Sequence, residues 1–127
     1  MKKEGFSLKK RMLSFKYAIQ GLGYLFKNEH NAQIHLFVTF CVLAAGTLLR
    51  VSPKEWIALV FAISIVLVSE ALNTAIEALA DAVSPDYHHL IKRAKDLAAG
   101  GVLITAVAAV IVGLIVFVPK LVALFQS

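Results

Sequence analysis

Apolar and polar positions follow two regimes along this chain. Across residues 7–29 the apolar residues Leu8, Met12, Phe15, Ile19, Leu22 and Phe26 lie 4, 3, 4, 3 and 4 apart. That period predicts an α-helix with one apolar stripe. Lys9, Lys10, Lys16, Gln20 and Lys27 occupy its other faces, so the helix is expected to be basic and amphipathic, lying in a membrane interface. The pattern leaves two roles open for it, a membrane anchor or a wall of an active site. Gly21 and Gly23 either weaken it locally or permit a bend or a close approach. Residues 1–5 read as a frayed tail.

Beyond Glu29 the periodicity gives way to three continuous apolar runs, at 34–49, 56–80 and 98–118. A membrane-spanning helix needs about 17–25 residues. The second and third runs meet this directly, and the first does so if its helix reaches back to about Asn31. The expected spans are therefore 31–49, 56–80 and 98–118. Residues 46–53 should turn the chain, with Ser52 and Pro53 starting the next helix and Trp56 in the aromatic belt. Ser84, Pro85 and Asp86 have the character of a helix cap, first position and dipole partner. A helix is expected to open there and continue through the third span, where Gly100, Gly101 and several alanines favour close helix contact. The fold class predicted is all-α integral membrane, a surface helix plus three transmembrane helices in a single domain of 127 residues.

Composition sharpens this picture. The chain is 59% hydrophobic with mean hydropathy +0.77, too apolar for an ordinary soluble domain. The first 33 residues lack a continuous apolar core and do not read as a signal peptide. The net charge of +5 is unevenly placed. Lys2, Lys3, Lys9, Lys10, Arg11, Lys16 and Lys27 precede the first span, and Lys92, Arg93 and Lys95 lie between the second and third. Ten of the 13 basic residues thus fall on one side. The positive-inside bias puts the N-terminus in the cytoplasm, and topology with anionic lipid explains the charge better than nucleic acid does. Cys41, the single cysteine, excludes an internal disulfide and reads as a packing residue.

Candidate chemistry lies in the second span. Glu70, Asn73, Glu77 and Asp81 recur at spacings of 3, 4 and 4, so they share one helix face. A charge at bilayer depth costs about 2.5–3.5 kcal/mol even on the lenient insertion scale, and marks a functional site by default. Twenty residues from Trp56 bring the chain to the far boundary of a core of roughly 30 Å. Glu77 then sits near water, with Glu70 about 10 Å deeper. Beyond the boundary, His88, Lys92 and Lys95 are spaced to share a face and suit phosphate oxygens. Glu29 and Glu77 are carboxylates near the same interface, and magnesium is commonly held by one or two carboxylates together with nucleotide phosphates. Glu70 could take a proton from an attacking alcohol. No GxxxxGK[ST] loop and no kinase-type glycine-rich loop is present, so any nucleotide site must be built from helices. Three readings stay open on these residues. They are phosphoryl transfer to a membrane alcohol, a proton or ion path along the Glu70 stripe, and a non-enzymatic membrane subunit.

Glu70-Ala71-Leu72-Asn73-Thr74-Ala75-Ile76-Glu77, then Asp81, Tyr87-His88 and Arg93-Ala94-Lys95-Asp96, resemble the bacterial diacylglycerol kinase and undecaprenol kinase family. Gly21-Leu22 and Asn28-Glu29 agree upstream, and the resemblance covers nearly the whole chain. It implies a homotrimeric lipid kinase of the bacterial inner (cytoplasmic) membrane. Its substrates would be ATP and a lipid alcohol, with Mg2+ as cofactor and sites formed between subunits. By position, Glu70 matches the proton acceptor and Asn73 a polar residue beside the reacting hydroxyl. Glu29 and Glu77 match the metal carboxylates. Lys10, Tyr17, Asp86, Tyr87, His88, Lys95 and Asp96 match nucleotide contacts, whereas His89 and Lys92 carry no assignment. One departure concerns the acceptor. Diacylglycerol-preferring members carry a basic residue where Gln33 stands and an acidic one at His35. The Asn31-x-x-x-His35 pattern looks more like the undecaprenol kinase branch. His35 is expected to serve the helix start or a lipid headgroup, with a metal role as the alternative.

Overall fold

A computed structural model describes residues 5–126; the remainder of the expected N-terminal tail lies outside the described residues. Four helices follow one another. They are α1 (Leu8–Asn28), α2 (His30–Leu48), α3 (Pro53–Val83) and α4 (His89–Gln126). The last three are long and apolar enough to cross a membrane.

Local chemistry sets each junction. The Ser7 hydroxyl accepts from the Lys10 N–H at 3.4 Å and starts α1. Glu29 alone, in extended backbone, separates α1 from α2. Its N–H donates to the Leu25 carbonyl and its carbonyl accepts from the Gln33 N–H, so the joint loses few backbone bonds. The Gln33 side chain reaches back to donate to the Lys27 carbonyl at 3.1 Å. Position 33 therefore closes the end of α1, besides any dealing it has with lipid.

Helix α2 ends with Arg50 at φ 53°, in the left-handed region. The Val51 N–H donates to the Gly46 carbonyl and the Arg50 N–H to that of Thr47. This is a Schellman closure, with buried Val51 as its apolar clasp. Gly46 stays inside the helix, so the turn is shorter than the sequence suggests. A Cβ on Gly46 would lie 2.6 Å from the Trp56 indole, and only glycine admits that contact. Helix α3 opens with a full capping box. The Ser52 hydroxyl accepts from the Glu55 N–H, and the Glu55 carboxylate accepts from the Ser52 N–H.

The next junction departs from expectation. Ser84, Pro85 and Asp86 do not open α4, because the Ser84 hydroxyl donates to the Asp86 carbonyl and stabilises a turn instead. The Lys92 N–H reaches the His88 carbonyl, and the His88 Nδ1 accepts from the Leu90 N–H at 3.1 Å. His88 is the cap, so the positive end of this helix lies four residues later than predicted.

Helices α3 and α4 are the principal packed pair. Three polar links tie them in antiparallel register. Glu55 meets Lys120 at 3.0 Å, Ser69 meets Thr105 at 2.8 Å, and Asp81 meets Lys95 at 2.5 Å. The buried apolar centre is small, formed by Val51, Leu59 and Val116 with Val42, Trp56, Val112 and Phe117 against it. Gly100 and Gly101 do not serve the expected close helix contact within this chain, since an added Cβ at either would meet nothing within 4 Å. The same holds for Gly21 and Gly23, through which α1 passes unbroken. On α1 only Leu25 is buried, while Leu8, Met12, Phe15, Ile19 and Leu22 remain exposed. Large apolar residues are exposed along α2, α3 and α4 as well, as suits helices solvated by hydrocarbon rather than water.

Candidate functional site

The stripe on α3 divides into a dry half and a wet half. Glu70 is the buried charged residue of the fold, 2% exposed. The residue that meets it comes from α2, where the His35 Nε2 lies 3.0 Å from the Glu70 Oε1. His35 itself keeps about a quarter of its side-chain surface exposed. The distance suits an ion pair, yet no donor is aligned on Oε1, which remains without a hydrogen bond. One turn along, the Asn73 Nδ2 donates weakly to the Glu77 Oε1 at 3.5 Å, and the buried Asn73 Oδ1 also lacks a donor. A buried acceptor left unmade costs about 1–3 kcal/mol. Two of them side by side mark a place where the chain alone does not complete the hydrogen bonding.

An apolar groove adjoins this pair. It encloses about 310 Å³ between α2, α3 and α4, with His35 at its polar edge and Val38, Leu59, Val66, Ala106 and Phe117 among its walls. Sequence reasoning placed His35 near the lipid side but missed its carboxylate partner. A histidine at the second position of an apolar run was the available signal; which of α3's residues it would face depends on tertiary register.

The wet half is assembled by the turn between α3 and α4. Asp81, Asp86, Tyr87, His88, Lys92 and Lys95 line an open cavity of about 310 Å³. Lys95 is paired with Asp81, and Lys92 with Asp96 at 2.6 Å. Both lysines precede the apolar run that opens at Ala98 in α4. The hydrogen bond that Lys95 donates to Asp81 holds its ammonium above the usual lysine range, and the one Lys92 donates to Asp96 does the same there. These exposed pairs contribute little to stability, but they keep the ammonium groups charged and oriented at the cavity. Asp81, the least assigned member of the stripe, thus acquires a role in setting Lys95. His88 stacks on His89 with ring centroids 4.9 Å apart.

The remaining predicted residues are more dispersed. Lys10 lines a different cavity, of about 410 Å³, with Phe6, Ser7, Arg11 and Ser14. Tyr17 is exposed on α1 and lines neither wet cavity. Glu29 is half-buried at the α1–α2 joint, and Glu77 is half-buried on α3. Among the described residues no three His, Cys, Asp or Glu side chains gather as a metal cage. The available set is carboxylate oxygen, which suits a hard cation that also takes phosphate oxygens and water.

The chain has relatives among known proteins. The sequence pattern described as prokaryotic diacylglycerol kinase matches residues 16–117. A diacylglycerol kinase of Synechocystis is 41% identical over 89% of this chain and 65% of its own length, so the chain spans just under two thirds of that relative. The undecaprenol kinase of Bacillus subtilis is 40% identical over 85% of this chain and 88% of its own. A diacylglycerol kinase of Haemophilus influenzae is 32% identical over 80% of this chain and 84% of its own. With three helices fit to span a bilayer and a buried carboxylate between them, the chain is a membrane protein that belongs to the prokaryotic diacylglycerol kinase family.

Proposed function

We propose that this chain transfers the γ-phosphoryl group of magnesium-bound ATP to the hydroxyl of a membrane lipid alcohol, undecaprenol or diacylglycerol. The observation that carries the reading is Glu70. It is a buried carboxylate at membrane depth with an oxygen awaiting a donor, beside an apolar groove. A lipid hydroxyl is the donor that such a place suits. As its oxygen attacks the γ-phosphorus, the hydroxyl proton passes to Glu70, the new P–O bond forms and the bond to ADP breaks. Asn73, one turn away, orients the hydroxyl by donating to its oxygen from Nδ2, which Glu77 holds only weakly.

The nucleotide occupies the wet side. Lys95 and the Tyr87-His88 turn contact it from the cavity they line, with Asp86 and Asp96 beside them. Lys10 and Tyr17 on α1 complete the set once α1 lies along the membrane surface or meets a neighbouring copy. Glu29 and Glu77 hold the metal, which when bound neutralises phosphate charge as it develops. Their half-buried, oxygen-only character fits magnesium; two carboxylates suffice when phosphates and water fill the remaining positions.

The basic residues before α2 and between α3 and α4 support a cytoplasmic N-terminus and nucleotide face in a bacterial inner membrane. The exposed apolar stripe of α1 supports a surface helix. The dispersal of the nucleotide-side residues over α1 and the α3–α4 turn supports a homotrimer whose sites are shared between copies. The relatives named for diacylglycerol and for undecaprenol are almost equally similar to this chain, whereas Asn31 and His35 favour undecaprenol. The test gives purified protein labelled ATP and magnesium with undecaprenol and diacylglycerol in parallel. Label in either lipid is expected; label in neither defeats the reading.

A further inference from the structure

Glu70 poses a problem of proton exit. A carboxylate 2% exposed among helices can take a proton from a lipid hydroxyl, but has no water of its own to return it to. The His35 Nε2 stands 3.0 Å from the Glu70 Oε1, close enough for a proton to pass once the imidazole turns into line. It is also the more exposed partner, 26% against 3% for the side chains, and it stands five residues from the start of α2, nearer the joint at Glu29 than the far end of the span.

Resting on the lipid-kinase reading above, we propose that His35 is the positioning residue of Glu70 and the exit for the proton that Glu70 accepts. In the transfer step the lipid O–H bond breaks, its proton joins Glu70, the lipid oxygen bonds the γ-phosphorus and ADP leaves. The Glu70 O–H then gives its proton to the His35 Nε2, regenerating the carboxylate. The imidazolium releases a proton to water, so that one proton is produced for each phosphate transferred. No oxidant or further reactant is required.

The surroundings leave His35 in this role by position. The groove at its side carries no other titratable side chain from α2, α3 or α4. Helix α4 has none at all from Leu97 to Pro119. The other titratable groups at this end of the helices include Tyr24 and Lys27 on α1, Glu29 at the joint, His30 on α2, Glu77 and Asp81 on α3, Asp86, Tyr87 and His88 in the turn, and His89, Lys92, Arg93, Lys95 and Asp96 on α4. Among them Asp81, Lys92, Lys95 and Asp96 are paired with one another. Glu77 accepts from Asn73 rather than from Glu70.

The experiment compares wild type, His35→Gln and His35→Ala in lipid micelles, with labelled ATP and the better of the two lipid acceptors. Rates are taken from about pH 5.5 to 9, the range in which imidazole titrates. Both variants are expected to lose roughly 100-fold in kcat, to keep the KM for ATP within about twofold, and to lose the acid limb of the profile. Added imidazole should restore part of the His35→Ala rate. A headgroup role would instead raise the KM for lipid with kcat and pH profile intact, and that result overturns the proposal. So does a His35→Gln enzyme with the wild-type rate and profile, or a loss in both variants that imidazole does not touch and that travels with a lowered melting temperature. Glu70→Gln run beside them separates the two ideas. If it is inactive while His35→Gln is not, the exit falls and the kinase reading stands. If wild type labels no lipid, both fall.

Discussion

The two halves of α3 handle their polar groups in opposite ways. At its first turn, Ser52 and Glu55 exchange two hydrogen bonds, Lys120 pairs with Glu55, and Trp56 packs on Gly46. Every part is satisfied from within the chain. Five turns on, Glu70 and Asn73 are buried with acceptor oxygens that nothing in the chain completes. The first arrangement stores stability, and the second forgoes it. A membrane makes that sacrifice conspicuous, because no water is at hand to repair it. Polar groups that hold a helix pair together close on themselves, and those meant for a substrate stay open.

Substitutions at the two ends should therefore separate cleanly into losses of turnover and losses of stability. Glu70→Gln should lower turnover by about 10³-fold or more while ATP binding persists; near-normal turnover would remove Glu70 as the base. Glu77→Gln should raise the magnesium needed for half-maximal rate by on the order of 10–100-fold. An unchanged magnesium titration would exclude it from the metal site. Gly46→Ala should leave the pH and magnesium dependence of the remaining activity intact and destabilise by about 1–2 kcal/mol, since the new methyl collides with Trp56. Thermal unfolding in detergent reads this, and an unshifted transition would show that the indole moves aside at no cost. Smallest, Arg50→Gly should stabilise by about 0.5–1 kcal/mol by relieving the left-handed residue. A lower melting temperature would mean that the Arg50 side chain matters more than its backbone.

Much of the fold was open to reading along the chain. The capping box at Ser52 and Glu55 is a local signal, and so is the switch at Glu29 from an amphipathic to an apolar pattern. The start of α4 was misplaced for an equally local reason. Ser84 competes for a turn with Asp86, while His88, a less usual cap, takes the helix N-terminus. Of the candidate site, Glu70, Asn73 and Glu77 announced themselves by the cost of their surroundings. Asp81 and His35 did not, because each gains its meaning from a partner on another helix.

The sequence by itself determined three apolar helices, the clustering of basic residues before the first and between the second and third, and the face of α3 that carries the acids. These follow from periodicity, length and charge, which need no knowledge of neighbours. Only the tertiary structure decided that His35 stands over Glu70, that Lys95 is held by Asp81, and that Gly46 serves Trp56 while Gly100 and Gly101 serve no contact in this chain. Those depend on how far one helix slides and turns against the next. A shift of one residue rotates a helical side chain by about 100°, so register alone chooses which polar atoms meet and which are left open.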